Sequence, residues 1–124
     1  MITLPYSKPP HCQPIPPPRV IFCDVDGTLI ISGRVNARLV DWLRLRHADG
    51  FELVLWSSRG REHAEKAAFI AGCADLFRSI VSKPGYIVDD KGWTWIKYTR
   101  NANALNAIGE QANATKLHDL NSHN

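Results

Sequence analysis

Two aspartates one residue apart close an apolar stretch in the first third of the chain. Asp24 and Asp26 stand in the run FCDVDGTLI, directly after Val20 and Ile21. A continuous apolar run of this kind is typical of a parallel strand that is covered on both faces. Burial of an unpaired carboxylate is costly. Two acids at one strand end therefore indicate a site rather than a turn cap.

Polar residues also follow two later predicted strands. Ser57 and Ser58 end the second strand, and Asp89 and Asp90 end a short one further on. In open parallel sheets, ligands bind beyond the carboxyl ends of the strands, so these residues should meet the first two aspartates at one edge. Carboxylates sharing a small space raise each other's pKa and need a cation. All-oxygen ligands suit Mg²⁺, and the Ser57 hydroxyl would bind a phosphate oxygen.

The elements that must position these residues alternate between strand and helix. This order predicts an α/β fold, a Rossmann-like parallel sheet with flanking helices and right-handed crossovers. A hairpin-like excursion is expected over residues 29–33, and residues 93–98 fit either a strand or a helical turn. The predicted strands cover residues 20–25, 52–56, 79–82 and 86–88, and the predicted helices cover residues 36–47, 61–71 and 101–111.

Length and composition indicate one domain with an extended leader. The chain has 124 residues, 44% of them hydrophobic, and seven of its eight prolines fall within the first 18 residues. We therefore predict a proline-rich extended segment over residues 1–18, a folded domain over residues 19–112 and a frayed tail over residues 113–124.

Charge and cysteine content narrow the class of protein. The net charge of +3 comes without a compact basic block, which gives no argument for general nucleic-acid binding. No apolar stretch approaches the roughly 18 residues of a membrane span. The three cysteines form no CxxC pair, as expected in a reducing cytoplasm. The scattered histidines are interpreted as surface residues, not as a zinc site.

The ordered set of motifs resembles the haloacid dehalogenase-like (HAD) phosphohydrolase superfamily. The run DVDGT at residues 24–28 is similar to its first motif, and LVLWS at residues 53–57 to its second. Lys83 and the pair Asp89-Asp90 resemble its third and fourth motifs. The resemblance implies a HAD-like core. The gap after the first motif and the gap before the third each hold one helix and leave no room for a cap domain.

The resemblance implies a Mg²⁺-dependent phosphohydrolase that acts on phosphomonoesters. Asp24 would become an aspartyl-phosphate, and Asp26 would serve as general acid and then general base. The phosphate-binding residues would be Gly27, Ser57, Ser58 and Lys83. The metal ligands would be Asp24, the backbone carbonyl of Asp26, and Asp89, with Asp90 beside them. The partner would be a phosphorylated substrate, either a small molecule or a bulky one such as a nucleic-acid end, with a homo-oligomer as one way to close the open site.

Several alternatives stay open at this point. Lys83 lies six residues before Asp89 with a predicted strand between them, so Lys91 or Arg59 could supply the cation instead.

The function also has alternatives. The second candidate is a catalytically idle HAD-like protein that binds phosphate or metal. A response-regulator receiver domain is disfavoured, because the motifs of that domain follow one another in a different order along the chain. Trp93 and Trp95 would either stack on a base or cover a core or dimer contact.

Overall fold

The computed structural model describes residues 18–109, without the side chain of Tyr98. The proline-rich segment before Pro18 and the predicted tail over residues 113–124 lie outside the described residues. The described elements, in chain order, are β1 (Val20–Asp24), β2 (Ile30–Ile31), β3 (Arg34–Val35), α1 (Ala37–Ala48), β4 (Glu52–Ser57), α2 (Arg61–Ile70), a 3₁₀ turn (Ala74–Leu76), β5 (Ser79–Ser82), a 3₁₀ segment (Gly92–Tyr98) and α3 (Ala104–Gly109).

Three parallel strands form the sheet on which the rest of the domain is built. Their order is β1-β4-β5, so that β4 is central and α1 and α2 are the crossovers. The register pairs Asp24 with Trp56 and Trp56 with Val81. All three strands therefore end at nearly the same level. This confirms a mixed α/β fold with a parallel sheet flanked by helices.

The central strand is buried on both of its faces. Leu53, Val54 and Leu55 are successive residues that point to alternate faces, and all three are buried. A parallel strand covered on both sides reads as a continuous apolar run, which is why β4 was predictable. Helix α2 packs against β4 and β5 through its alanine face, Ala64, Ala67 and Ala68.

Strand β1 is covered less completely because it lies at the edge of the described sheet. Cys23 is buried on one face, whereas Phe22 on the other face is 51% exposed. The Phe22 ring still contacts the neighbouring strand, with its centroid 4.7 Å from that of Trp56 at an interplanar angle of 58°. An aromatic pair therefore lies half open to solvent on this face.

The predicted excursion after the first strand is a β-hairpin. Strands β2 and β3 pair in antiparallel fashion, and the two residues between them, Ser32 and Gly33, have φ of 51° and 75°. Positive φ at both central positions is typical of the type I′ turn that suits two-residue hairpins. The hairpin and α1 fill the chain between the first two strands of the sheet.

The prediction of a strand over residues 86–88 is wrong. These residues have no regular secondary structure, and the third strand of the sheet is Ser79–Ser82. Pro84 follows that strand closely and has no amide hydrogen to donate to a sheet. The apolar residues Tyr86 and Val88 are exposed as a result. Residues 93–98 lie in a 3₁₀ segment, and α3 begins at Ala104, later than predicted.

No helix in the described ranges is both long and apolar enough to cross a membrane.

Asn36 joins helix α1 to the loop that follows β1. Its Oδ1 accepts a hydrogen bond from the Leu39 amide at 3.3 Å, and its Nδ2 donates to the Thr28 carbonyl at 3.2 Å. We expect Asn36→Ala to lower the free energy of unfolding by about 1–2 kcal/mol, since it removes the N-cap. Asn36→Asp keeps the capping oxygen and loses only the Thr28 bond, so it should be the milder change. Urea unfolding measures the free energy of unfolding of both variants. Equal decreases for Asn36→Ala and Asn36→Asp would contradict the capping role.

A candidate site at the carboxyl edge of the sheet

The turn after β1 is held by one carbonyl group. The amides of Thr28, Leu29 and Ile30 all donate to the Val25 carbonyl, at 3.1, 2.9 and 3.0 Å. Gly27 has a φ of 80°, a conformation that residues with a Cβ adopt only at a cost. The turn therefore sets the direction in which the two aspartates leave the strand.

Asp24 lies at the centre of the polar contacts at this edge. Its Oδ1 is 3.2 Å from Lys83 Nζ, and its Oδ2 accepts a hydrogen bond from Thr28 Oγ1 at 3.3 Å. Its side chain remains partly exposed. The carboxylate is therefore oriented by two donors and still open to a ligand.

Lys83 reaches Asp24 because β5 ends one residue earlier. The Lys83 amide donates to the Ser57 carbonyl at 2.9 Å, which ties the residue to the end of β4. Its ammonium lies 5.8 Å from the centroid of the Trp56 ring. The concern that a strand over residues 86–88 would keep Lys83 away does not apply, since that strand does not form. Lys83 is the cation that the structure places beside Asp24.

Asp26 has two partners, of which the sequence indicated Arg59 as a candidate cation and did not indicate His63. His63 Nε2 lies 3.0 Å from Asp26 Oδ2 and 3.2 Å from Oδ1, and Arg59 Nη1 lies 3.5 Å from Oδ1. While Asp26 is ionised, its carboxylate only accepts hydrogen bonds, so Nε2 donates in this contact. His63 had been interpreted as an uninvolved surface residue. Its place in the first turn of α2, just beyond the end of β4, is the signal that could have identified it.

Ser57 is built into the turn between β4 and α2. It is only 1% exposed, and its Oγ accepts a hydrogen bond from the Arg59 amide at 3.0 Å. That contact shapes the turn that carries Arg59 towards Asp26. Ser58, in contrast, is exposed. Of the two serines predicted to bind phosphate, Ser57 is buried and stabilises the turn after β4, whereas Ser58 faces solvent.

Asp89 and Asp90 lie in a separate local arrangement. Asp89 Oδ1 accepts a hydrogen bond from the Lys91 amide at 2.7 Å, and Asp90 Oδ2 is 3.9 Å from Lys91 Nζ. Within residues 18–109 no group of three or more acidic, histidine or cysteine side chains is arranged to hold a metal ion. The structure therefore does not bring these two acids into one metal group with Asp24 and Asp26, and it pairs Lys91 with Asp90.

The tryptophans after these acids do not cover the core. Trp93 is 69% exposed and Trp95 is 42% exposed. Trp93 lines a shallow cavity together with Ile87, Asp89 and Gly92.

The residues at the edge suit a hard cation even without Asp89 and Asp90. Mg²⁺ is commonly bound by one or two carboxylates, with waters and substrate phosphate oxygens completing the octahedron. Asp24 supplies one such carboxylate, which is partly exposed, and the backbone carbonyl of Asp26 is a second oxygen donor from the same turn. Their donor chemistry therefore fits Mg²⁺.

The thiol next to Asp24 takes no part in this chemistry. Burial raises the pKa of Cys23 to about 12, and the negative charge of Asp24 adds to the effect. Burial likewise raises the pKa of Cys73. Cys23 is therefore a protonated, apolar member of the core.

No family model matches the chain, and no curated protein or solved structure does either.

The conformation of Gly27 makes a test of how tightly the turn is specified. A Cβ at this position would meet nothing within 4 Å, so Gly27→Ala changes only backbone strain, which we expect to cost about 1–2 kcal/mol of unfolding free energy. Gly85 is the control, because its surroundings are equally open and its φ is outside the left-handed region. Thermal and urea unfolding should show Gly85→Ala near neutral. A Gly27→Ala variant as stable as the wild type would contradict the strained turn.

Proposed function

We propose that the protein is a small, capless, HAD-like phosphohydrolase that cleaves phosphomonoesters with Mg²⁺ through an aspartyl-phosphate on Asp24. The observation that carries this proposal is the 3.2 Å contact between Asp24 Oδ1 and Lys83 Nζ at the carboxyl edge of the sheet. A carboxylate nucleophile and a cation for the phosphoryl group stand side by side there. The motif order of the sequence supports the same interpretation.

Lys83 solves an electrostatic problem for Asp24. A phosphomonoester is an anion, and its approach to a carboxylate is opposed unless positive charge lies between them. The Lys83 ammonium already touches the carboxylate and can turn towards the phosphoryl oxygens as they arrive. Thr28 meanwhile holds the other carboxylate oxygen. Asp24 would thus be kept in an orientation suited to attack.

Asp26 is proposed to move the protons. In the first step an Asp24 oxygen forms a bond to phosphorus, the bond from phosphorus to the alcohol oxygen breaks, and Asp26 gives that oxygen a proton. In the second step a water oxygen attacks phosphorus, Asp26 takes the water's proton, and inorganic phosphate leaves as the Asp24 carboxylate is restored. His63 and Arg59 act as positioning residues, since both contact the Asp26 carboxylate.

Mg²⁺ would be held by the Asp24 carboxylate and the backbone carbonyl of Asp26, and it would supply positive charge for the phosphoryl oxygens. The Asp26 carboxyl group would thus stay free to carry its proton. The family resemblance adds Asp89 and Asp90 to the ligand set, but the described part of the chain does not bring them into one metal group with Asp24 and Asp26.

The site would accept its substrate without a covering domain. Between Asp26 and Ser57 the chain forms only the hairpin, α1 and β4, and between Ser58 and Lys83 only α2, one 3₁₀ turn and β5. The hairpin is the single flap available among these elements. We therefore propose a phosphorylated substrate of small or bulky kind, met at an open edge or at one closed by a second copy of the chain.

The first test is hydrolysis of a generic aryl phosphate. We expect activity that requires Mg²⁺, is abolished by EDTA, and falls by at least about 10³-fold in Asp24→Asn, because the nucleophile is lost. Asp75→Asn is the matched control, since Asp75 is an exposed aspartate in the 3₁₀ turn before β5, at the other end of the strand. Release of inorganic phosphate measures both. Equal activity of Asp24→Asn and wild type would overturn the proposal.

The second test separates the candidate cations. Lys83→Met should lower kcat by about 10²–10³-fold, the effect of removing one preorganised charge from a transition state. Lys91→Met should change kcat little, because Lys91 pairs with Asp90. Circular dichroism controls for folding in both variants. A larger loss of kcat for Lys91→Met than for Lys83→Met would contradict this assignment and make Lys91 the active-site cation.

A second candidate function is favoured by one observation. In the described part of the chain, Asp89 and Asp90 do not form a group of three or more metal-binding side chains with Asp24 and Asp26. A site without the family's full set of acids favours a HAD-like protein that binds phosphate or metal without turnover. Saturable binding of inorganic phosphate by calorimetry, together with no hydrolysis of any phosphomonoester by folded, Mg²⁺-supplied protein, would favour this candidate.

A further inference from the structure

We propose that Phe22 and Trp56 form a stacking surface for an aromatic base, so that the preferred substrates are phosphomonoesters of nucleosides. This inference rests on the proposed function, because it places the substrate's phosphate at Asp24 and Lys83. The pair of rings is called the aromatic platform below.

The aromatic platform lies on the same face of the sheet as Asp24. Side chains two residues apart on a strand share a face, which places Phe22 with Asp24. Trp56 is the register partner of Asp24 on β4, and paired residues of neighbouring strands also share a face. The acid and both rings therefore form one continuous surface.

One ammonium group joins the two parts of this surface. Lys83 Nζ lies 3.2 Å from Asp24 Oδ1 and 5.8 Å from the centroid of the Trp56 ring. A phosphate bound by Lys83 would thus arrive within reach of the rings. In a nucleoside phosphate the base is attached to the phosphate through one sugar, so both groups could be engaged together.

The place of Phe22 beside the site is the feature that points to a ligand. Its ring is 51% exposed, although it touches Trp56. A single exposed apolar side chain needs no explanation by itself, but Phe22 forms one aromatic surface with Trp56 on the face of the sheet that carries Asp24. Every base has a flat face that stacks on an aromatic ring, and such contacts are sequence-tolerant. The nearby cations Lys83 and Arg59 suit the negative charge of a nucleotide. A base on the platform with its phosphate at Lys83 satisfies both features.

The alternative substrates lack one half of this match. A sugar phosphate or glycerol phosphate would use Lys83 and leave the rings in water. An apolar partner without a phosphate would contact the rings and make no contact with Lys83 and Asp24. The platform therefore predicts discrimination between substrates that carry the same phosphoryl group.

The test compares a nucleoside 5′-monophosphate with ribose 5-phosphate, which is the same ester without the base. We expect the wild type to favour the nucleotide in kcat/KM by about tenfold or more, the effect of one stacked base. Phe22→Ala should lower the ratio of the two kcat/KM values by about tenfold, mainly through KM for the nucleotide. Phe22→Trp should restore it. A short oligonucleotide with a terminal phosphate, assayed in parallel, shows whether free nucleotides or nucleic-acid ends supply the base.

Phe69→Ala is the control variant. Phe69 is 80% exposed in α2 but lies near the end of that helix, eight residues after Arg61, so its removal should leave the ratio unchanged. If Phe22→Ala lowers kcat/KM equally for both substrates, or if the wild type shows no preference, the inference is overturned. It is also overturned if Phe22→Ala turns a dimer into a monomer in analytical ultracentrifugation, since a second copy would then be the occupant of the platform.

Failure of the proposed function is kept separate by a binding measurement. Calorimetric titration of Asp24→Asn with the nucleotide and with ribose 5-phosphate needs no turnover. Tighter binding of the nucleotide that is lost in Asp24→Asn/Phe22→Ala supports the platform even if no ester is hydrolysed. Hydrolysis of aryl phosphate without any nucleotide preference in either measurement leaves the phosphatase and removes the platform.

Discussion

The ion pair between Asp24 and Lys83 crosses the central strand of the sheet. Asp24 ends β1, Lys83 follows β5, and β4 runs between them, so the contact exists only if all three strands end at the same level. Both side chains are partly exposed, and such a pair contributes about 1 kcal/mol or less to stability. The ion pair therefore matters for chemistry and not for stability. The sheet positions the two charges, and the two charges contribute little to the stability of the sheet.

Much of this arrangement could be predicted where a residue's environment is local. The buried run of β4, the start of α1 near residue 36 and the hairpin-like excursion over residues 29–33 all follow from patterns a few residues long. The strand over residues 79–82 was predicted, but the additional strand predicted over residues 86–88 was wrong. Tyr86, Ile87 and Val88 have higher strand propensity than Ser79–Ser82, yet pairing with β4 is decided by where the chain leaves α2 and by Pro84, which are tertiary constraints.

The candidate site divides along the same line. Asp24, Asp26 and Ser57 were predictable because each stands at the end of a strand and the edge of a parallel sheet gathers such residues. Lys83 was predicted from the family resemblance alone. The contact of His63 with Asp26 was not predicted, since a single histidine in a polar helix turn resembles any surface residue until the direction of that helix is known. Asp89 and Asp90 were expected at the edge because a strand was predicted before them and because they resemble the family's fourth motif. Without that strand, the sequence contains nothing that brings them there.

The Val25 carbonyl, which accepts three successive amides, has a consequence for the thermodynamics of binding. A loop that becomes ordered only when its ligand arrives loses conformational entropy at that moment and binds more weakly for it. Here the turn between Asp24 and Ile30 is already immobilised by folding, so this entropy loss is absent from the association step. Binding at this turn should therefore have a small entropic penalty, and its affinity should depend mainly on charge and desolvation.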